Sequence, residues 1–93
     1  MALRFEWNAR KSAENARKHR VTFTEATTVF DDPLSVTIPD PDHSIGEQRF
    51  LLLGMSNRGR LLVVAYAERD ATIRIINARR ADRHERQTYE EKD

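Results

Sequence analysis

The chain has 93 residues, 39% hydrophobic and 33% charged, which suits one domain and is too apolar for a disordered tail. Its longest apolar run, Leu61 to Ala67, falls far short of the roughly 20 residues that span a bilayer, and the lack of cysteine excludes disulfides and thiolate metal sites. Sixteen Lys and Arg against fifteen Asp and Glu leave a net charge of +1, which taken alone argues against a nucleic-acid binder.

In chain order, the opening Met1 to Trp7 has neither the apolar stretch nor the cleavage site of a signal peptide, so the cytosol is the expected compartment. Phe5-Glu6-Trp7 reads as a short strand. Asn8 is a good N-cap for a helix over 9–19, whose Ala9, Ala13 and Ala16 form a small-residue stripe suited to close packing. Thr22 followed by Glu25 fits a capping box and predicts a second helix from about Phe23 to Phe30, stopped by Asp31-Asp32-Pro33.

After Pro33 the period changes to two. Leu34-Val36-Ile38 predicts a one-sided strand, and Pro39 to Gly46 a polar loop. Strands follow at 49–55, 60–68 and 72–78, joined by turns at Ser56-Asn57-Arg58-Gly59 and Arg69-Asp70-Ala71. A last helix is expected from about Asp82 to Glu91. The expected fold is α+β: two N-terminal helices on one face of an antiparallel β-meander, with a C-terminal helix, in a single domain over 1–93.

Charge is not spread evenly along these elements. Residues 1–20 are +4, 21–47 are −6 with no Lys or Arg, 48–80 are +5, and the tail is −2. Thirteen of the sixteen cations are Arg, whose planar fork matches phosphate bidentately. If the first helix lies beside the Arg-bearing strands, both basic blocks are expected to share one surface, with the acidic stretch held away from it.

Several chemistries are disfavoured. Asp40-x-Asp42-His43 and Asp31-Asp32 offer oxygen and imidazole ligands, but without EF-hand spacing or a helical histidine pair, so no metal is expected. There is no P-loop, Gly-x-Ser-x-Gly elbow or Cys nucleophile, and three glycines do not build a dinucleotide site; no cofactor is expected. RNA cleavage remains open, because the substrate supplies its own 2′-hydroxyl nucleophile.

Simple alternation puts Ile73, Ile75, Asn77 and Arg79 on one side of the last strand, and Arg49, Leu51, Leu53 and Met55 on one side of the 49–55 strand. Arg49 and Arg79 thus end apolar rows, where they either flank a cleft or snorkel over the core. His19 ends the first helix, where a cation also suits the helix dipole. Glu85 and Tyr89 share a face of the last helix with His84 beside them, and Trp7 is expected in the core.

Taken together, Phe5-Glu6-Trp7-Asn8, Asn15-x-x-Lys18-His19-x-Val21-x-Phe23-x-Glu25-Ala26, Val29-Phe30-Asp31-Asp32-Pro33, Glu47-x-Arg49, Gly54, Arg60-Leu61-Leu62-Val63-Val64 and Ile73-Arg74-Ile75-Ile76-x-Ala78-Arg79 resemble the BrnT family of bacterial toxins. The resemblance covers about residues 5–90, with one departure: the family usually reads Lys-His-Gly-Val, and Arg20 stands where the glycine suits a left-handed helix cap.

The resemblance implies a RelE-like, metal-independent ribonuclease toxin of a type II toxin–antitoxin pair that inhibits translation and growth. It also implies neutralisation by a BrnA-type ribbon-helix-helix antitoxin, in a heterotetramer built through the antitoxin dimer and touching promoter DNA only through it. It points to Lys18, His19, Arg49 and Arg79 as catalytic and to Arg83, Glu85 and Tyr89 as substrate-binding; Arg60 and Arg80 are also expected to bind substrate. The alternative is a non-catalytic module that binds RNA or protein, with the acidic 21–47 stretch as a docking face.

Overall fold

The computed structural model describes residues 3–40 and 48–91. Most of the acidic polar loop, with Asp42, His43 and Glu47, lies outside the described residues. In chain order the elements are β1 (Arg4–Glu6), α1 (Ala9–His19), α2 (Phe23–Thr28) with a 3-10 turn (Val29–Asp31), β2 (Val36–Pro39), β3 (Arg49–Met55), β4 (Leu61–Arg69), β5 (Thr72–Arg80) and α3 (Arg83–Glu91). No described helix is long and apolar enough to cross a membrane.

The sheet order is β1-β5-β4-β3-β2. The strands β2 to β5 form the expected antiparallel meander, but β1 adds to β5 in parallel, Phe5 opposite Ile73, so the sheet is mixed rather than purely antiparallel. Burial explains the addition. Phe5 stacks edge-on against Phe30 at 5.2 Å and Trp7 against Phe23 at 5.9 Å, so pairing with β5 carries both rings onto the core.

The sheet is covered on both faces. One face packs Leu52, Leu62, Val64, Tyr66, Ile73, Ile75 and Ala78 against Val21 and the α2 residues Phe23 and Ala26. On this side the backbone of β3 comes so close to the turn after α2 that a Cβ at Gly54 would meet Val29 Cγ1 at 2.8 Å. The other face gathers Leu51, Leu53, Met55, Leu61 and Val63 under Tyr89 of α3.

Of the two N-terminal helices only α2 packs on the sheet face as expected. Asn8 caps α1 by accepting from the Lys11 N–H at 3.0 Å, but Ala9 and Ala13 are exposed and the one buried residue of the helix is Asn15. The Asn15 carboxamide donates to the carbonyls of Val21 (2.9 Å) and Ala78 (2.8 Å) and accepts from the Ala78 N–H (3.1 Å). Both Ala78 backbone groups therefore face away from β4. Asn15 satisfies the edge of β5 beyond the end of β1, where a bare strand edge would otherwise remain. The small-residue stripe is thus not the packing face of α1; a single amide fixes the helix along the strand edge.

The capping box at α2 is half made. Thr22 Oγ1 accepts from the Glu25 N–H at 3.0 Å, but the Glu25 side chain turns inward, where it is 3% exposed. There it accepts from Ser56 Oγ at 2.7 Å and from the Arg60 guanidinium, which hold its carboxyl below the usual carboxylate range despite burial.

A candidate active-site cleft between the first helix and the sheet

The alternation of β5 breaks at one place. Tyr66 pairs with Ile75 and Ala65 with Asn77, so Ile76 is an extra residue, a β-bulge. Beyond it the phase is reversed: Ile73, Ile75 and Ala78 face the α2 core, and Asn77 and Arg79 face the other side. This corrects the row Ile73, Ile75, Asn77, Arg79 expected from simple alternation. The consequence is that Arg79 shares a sheet face with Arg49, which simple alternation does not bring about.

On that face lies a cleft of about 510 Å³. Its floor is a row across three strands, Leu51 on β3, Ala65 on β4 and Asn77 on β5, in direct register. Arg49 and Arg79 border the floor, and α1 supplies the wall with Lys11, Glu14, Asn15, Lys18 and His19. Asp40, at the end of β2, completes the lining. Lys18 and His19 of α1, Arg49 of β3 and Arg79 of β5, three segments far apart in the chain, thus line one cavity.

Both arginines are met by carboxylates. Arg49 lies 3.8 Å from Asp40, and its Nε is buried without a hydrogen-bond partner among the described residues. Arg79 Nη1 and Nη2 donate to the two oxygens of Glu85 at 2.8 and 2.7 Å, a bidentate pair that pulls the Glu85 carboxyl below its usual range. Glu85 also caps α3: its Oε1 accepts from the Asp82 N–H at 2.9 Å while Asp82 accepts from the Glu85 N–H at 2.8 Å.

The other candidates lie outside the cleft. Arg60 is turned to the opposite side, bonded to Glu25 and to the Arg20 carbonyl at 3.0 Å, and it does not line the cleft. Arg80 and Arg83 are exposed and line neither the floor nor the wall. Glu85 reaches the cleft only through Arg79. Tyr89 donates to Asp32 Oδ2 at 2.7 Å, and the adjoining carboxylate pushes its hydroxyl up to about 12. His84 is exposed.

The two basic blocks meet at the cleft, but several of their arginines are paired elsewhere. Arg58 and Arg60 turn to Glu25, and Arg69 and Arg74 to Glu6, at 3.9 and 3.0 Å. The acidic stretch is not held apart, because Asp40 lines the cleft and Glu25 collects arginines. What remains in the cleft is a local cluster of Lys11, Lys18, Arg49 and Arg79 with His19. Lys11 and Asn77 join the cleft although the sequence does not mark them as site residues. Lys11 had a signal, since it lies seven residues before Lys18 and so on the same helix face.

A family model described as the ribonuclease toxin, BrnT, of a type II toxin–antitoxin system matches residues 7–85. The 1.1 Å crystal structure of the Brucella abortus ribonuclease toxin BrnT is similar in fold, with a TM-score of 0.69 at 16% identity, covering 88% of this chain and 100% of that one. Among curated proteins nothing matches the sequence.

Proposed function

The chain belongs to the BrnT family of ribonuclease toxins of type II toxin–antitoxin systems, and from that premise we propose that it cleaves RNA endonucleolytically, without a metal ion, in the cleft between α1 and the sheet. The RNA 2′-oxygen attacks the adjacent phosphorus as its proton is removed. The bond from phosphorus to the 5′-oxygen breaks and that oxygen takes a proton, leaving a 2′,3′-cyclic phosphate and a 5′-hydroxyl end. The protein must hold the phosphate, move protons and stabilise the charge growing on the phosphoryl oxygens.

His19 carries the proton, because imidazole is the side chain best suited to proton transfer near neutral pH. Arg49 and Arg79 hold the phosphate from the border of the floor and Lys18 adds a point charge from the wall. The observation that supports this reading is the convergence of these four side chains on one cavity. It is tested by incubating purified protein with single-stranded RNA in EDTA. Cyclic-phosphate ends that disappear in His19→Ala support it, whereas salt-sensitive binding with no products would make the protein a non-catalytic RNA-binding module.

Membership in a type II family implies an antitoxin partner. The reading extends this to a BrnA-type ribbon-helix-helix antitoxin that covers the cleft or its rim and joins two toxin chains in a heterotetramer. That antitoxin alone carries the promoter contacts. The chain acts as one RelE-like toxin domain in the cytoplasm, halting translation and growth. Co-expression with the neighbouring small reading frame tests the partner: a stable complex that restores growth is expected.

A further inference from the structure

The floor of the cleft is chemically unlike its rim. Leu51 and Ala65 form an apolar surface, Ile76 adds to it through the bulge, and the Asn77 carboxamide stands at the end of the row. That carboxamide makes no hydrogen bond to any other described residue. Adjacent strands lie about 4.8 Å apart, so the three-residue row is about 10 Å long, the span of a flat heterocycle with a hydrogen-bonding group at its edge. Ala65, at the centre of the row, is the small side chain that leaves the depression open.

We propose that this row is a nucleobase subsite: one unstacked base of single-stranded RNA lies on Leu51 and Ala65 and presents its edge to Asn77. A carboxamide offers a donor and an acceptor side by side, both of which a base edge carrying the complementary pair engages, whereas a phosphate, which only accepts, engages the donor alone. Cations border this floor, Arg49 towards β3 and Arg79 towards the end of β5, so the phosphate that they hold lies beside the base. Asn77 is then a specificity-determining residue, separate from the groups that move protons. The proposal rests on the ribonuclease reading for its ligand and deepens it by naming what the site reads.

Ala65→Leu fills the floor and Asn77→Leu keeps the size of the side chain while removing its donor and acceptor. The experiment measures binding of uncleavable 2′-O-methyl oligoribonucleotides that differ in a single base, alongside cleavage of the unmodified RNAs. The wild type is expected to prefer one base at one position. Asn77→Leu should reduce that discrimination by about tenfold, the size of one good base-edge contact. Ala65→Leu should weaken all base-containing oligonucleotides while leaving an oligonucleotide abasic at that position unaffected, with thermal unfolding checked for both variants. Base-dependent affinity that is identical in wild type and Asn77→Leu would overturn the subsite even if cleavage is intact. Base-dependent affinity lost in Asn77→Leu, with no cleavage by the wild type, would uphold the subsite and overturn the ribonuclease reading.

Discussion

Glu85 grips Arg79 through two parallel hydrogen bonds of 2.7–2.8 Å, and the same carboxylate caps the helix from which it projects. The cleft arginine and α3 are therefore coupled. Arg79 is aimed by a residue six positions away that itself stands outside the cavity lining.

Glu85→Ala is expected to lower cleavage about tenfold by loosening the Arg79 fork, and to destabilise the protein by about 1 kcal/mol through the lost cap. Glu85→Gln retains one acceptor for Arg79 and should recover part of the activity. A tenfold loss of rate at unchanged affinity for uncleavable RNA would show that Glu85 orients Arg79 rather than binding RNA itself.

The Glu25–Arg60 pair lies away from the cleft and holds α2 to the β3–β4 turn. Removing one partner of a buried ion pair costs about 3 kcal/mol, so Glu25→Ala should lower the urea midpoint sharply. Arg60→Ala should also destabilise, yet the folded fraction should cut RNA at the wild-type rate.

Stability should fall in acid. Glu25 and Glu85 are both held below the usual 4.5, mainly by their arginine partners, so their contribution is full above that value and fades as pH drops through the folded-state values. Urea titrations below about pH 4 should show this loss, and Glu25→Gln should diminish it.

Tyr89 has the opposite sign. Its hydroxyl is pushed from 10.0 up to about 12 by the hydrogen bond to Asp32, so its contribution is full below about 10 and is lost as pH rises through about 12. Tyr89→Phe should be less stable at neutral pH and should lose less on going to alkaline pH, read by circular dichroism at several urea concentrations.

Arg20 holds a left-handed cap at φ 60° and ψ 31° at the end of α1, with its N–H on the Ala16 carbonyl at 3.0 Å. A side chain is strained there and glycine is not. Arg20→Gly is expected to stabilise by about 0.5–1 kcal/mol in chemical denaturation, without moving His19, which is already in the helix.

Local signals made much of the fold legible. Asn8, the periodicity of 9–19 and the apolar run of 49–55 mark α1 and β3 with the bounds observed. What local signals could not carry was long-range. The three residues of β1 pair with a strand 68 positions later, and Glu25 reads as half of a capping box because Ser56 and Arg60, which bury it, come 31 and 35 residues on. The cleft depends on two such features: a bulge at Ile76 that turns Arg79 to the side of Arg49, and Asn15, whose amide sets α1 against Ala78. Neither leaves a mark in hydrophobic periodicity, since a bulge shifts the phase without changing composition and one polar residue on a polar helix looks like surface.

Whether the cluster bordering this cleft cuts RNA is read from the cleavage rate of single-stranded RNA in EDTA by wild type, His19→Ala and the Arg49→Ala, Arg79→Ala double variant. Metal-free cleavage is expected from the wild type, with at least about a 100-fold loss in each variant, the scale of removing a proton carrier or the charge that stabilises the transition state. Wild-type rates in correctly folded variants would contradict a cutting role for the cluster.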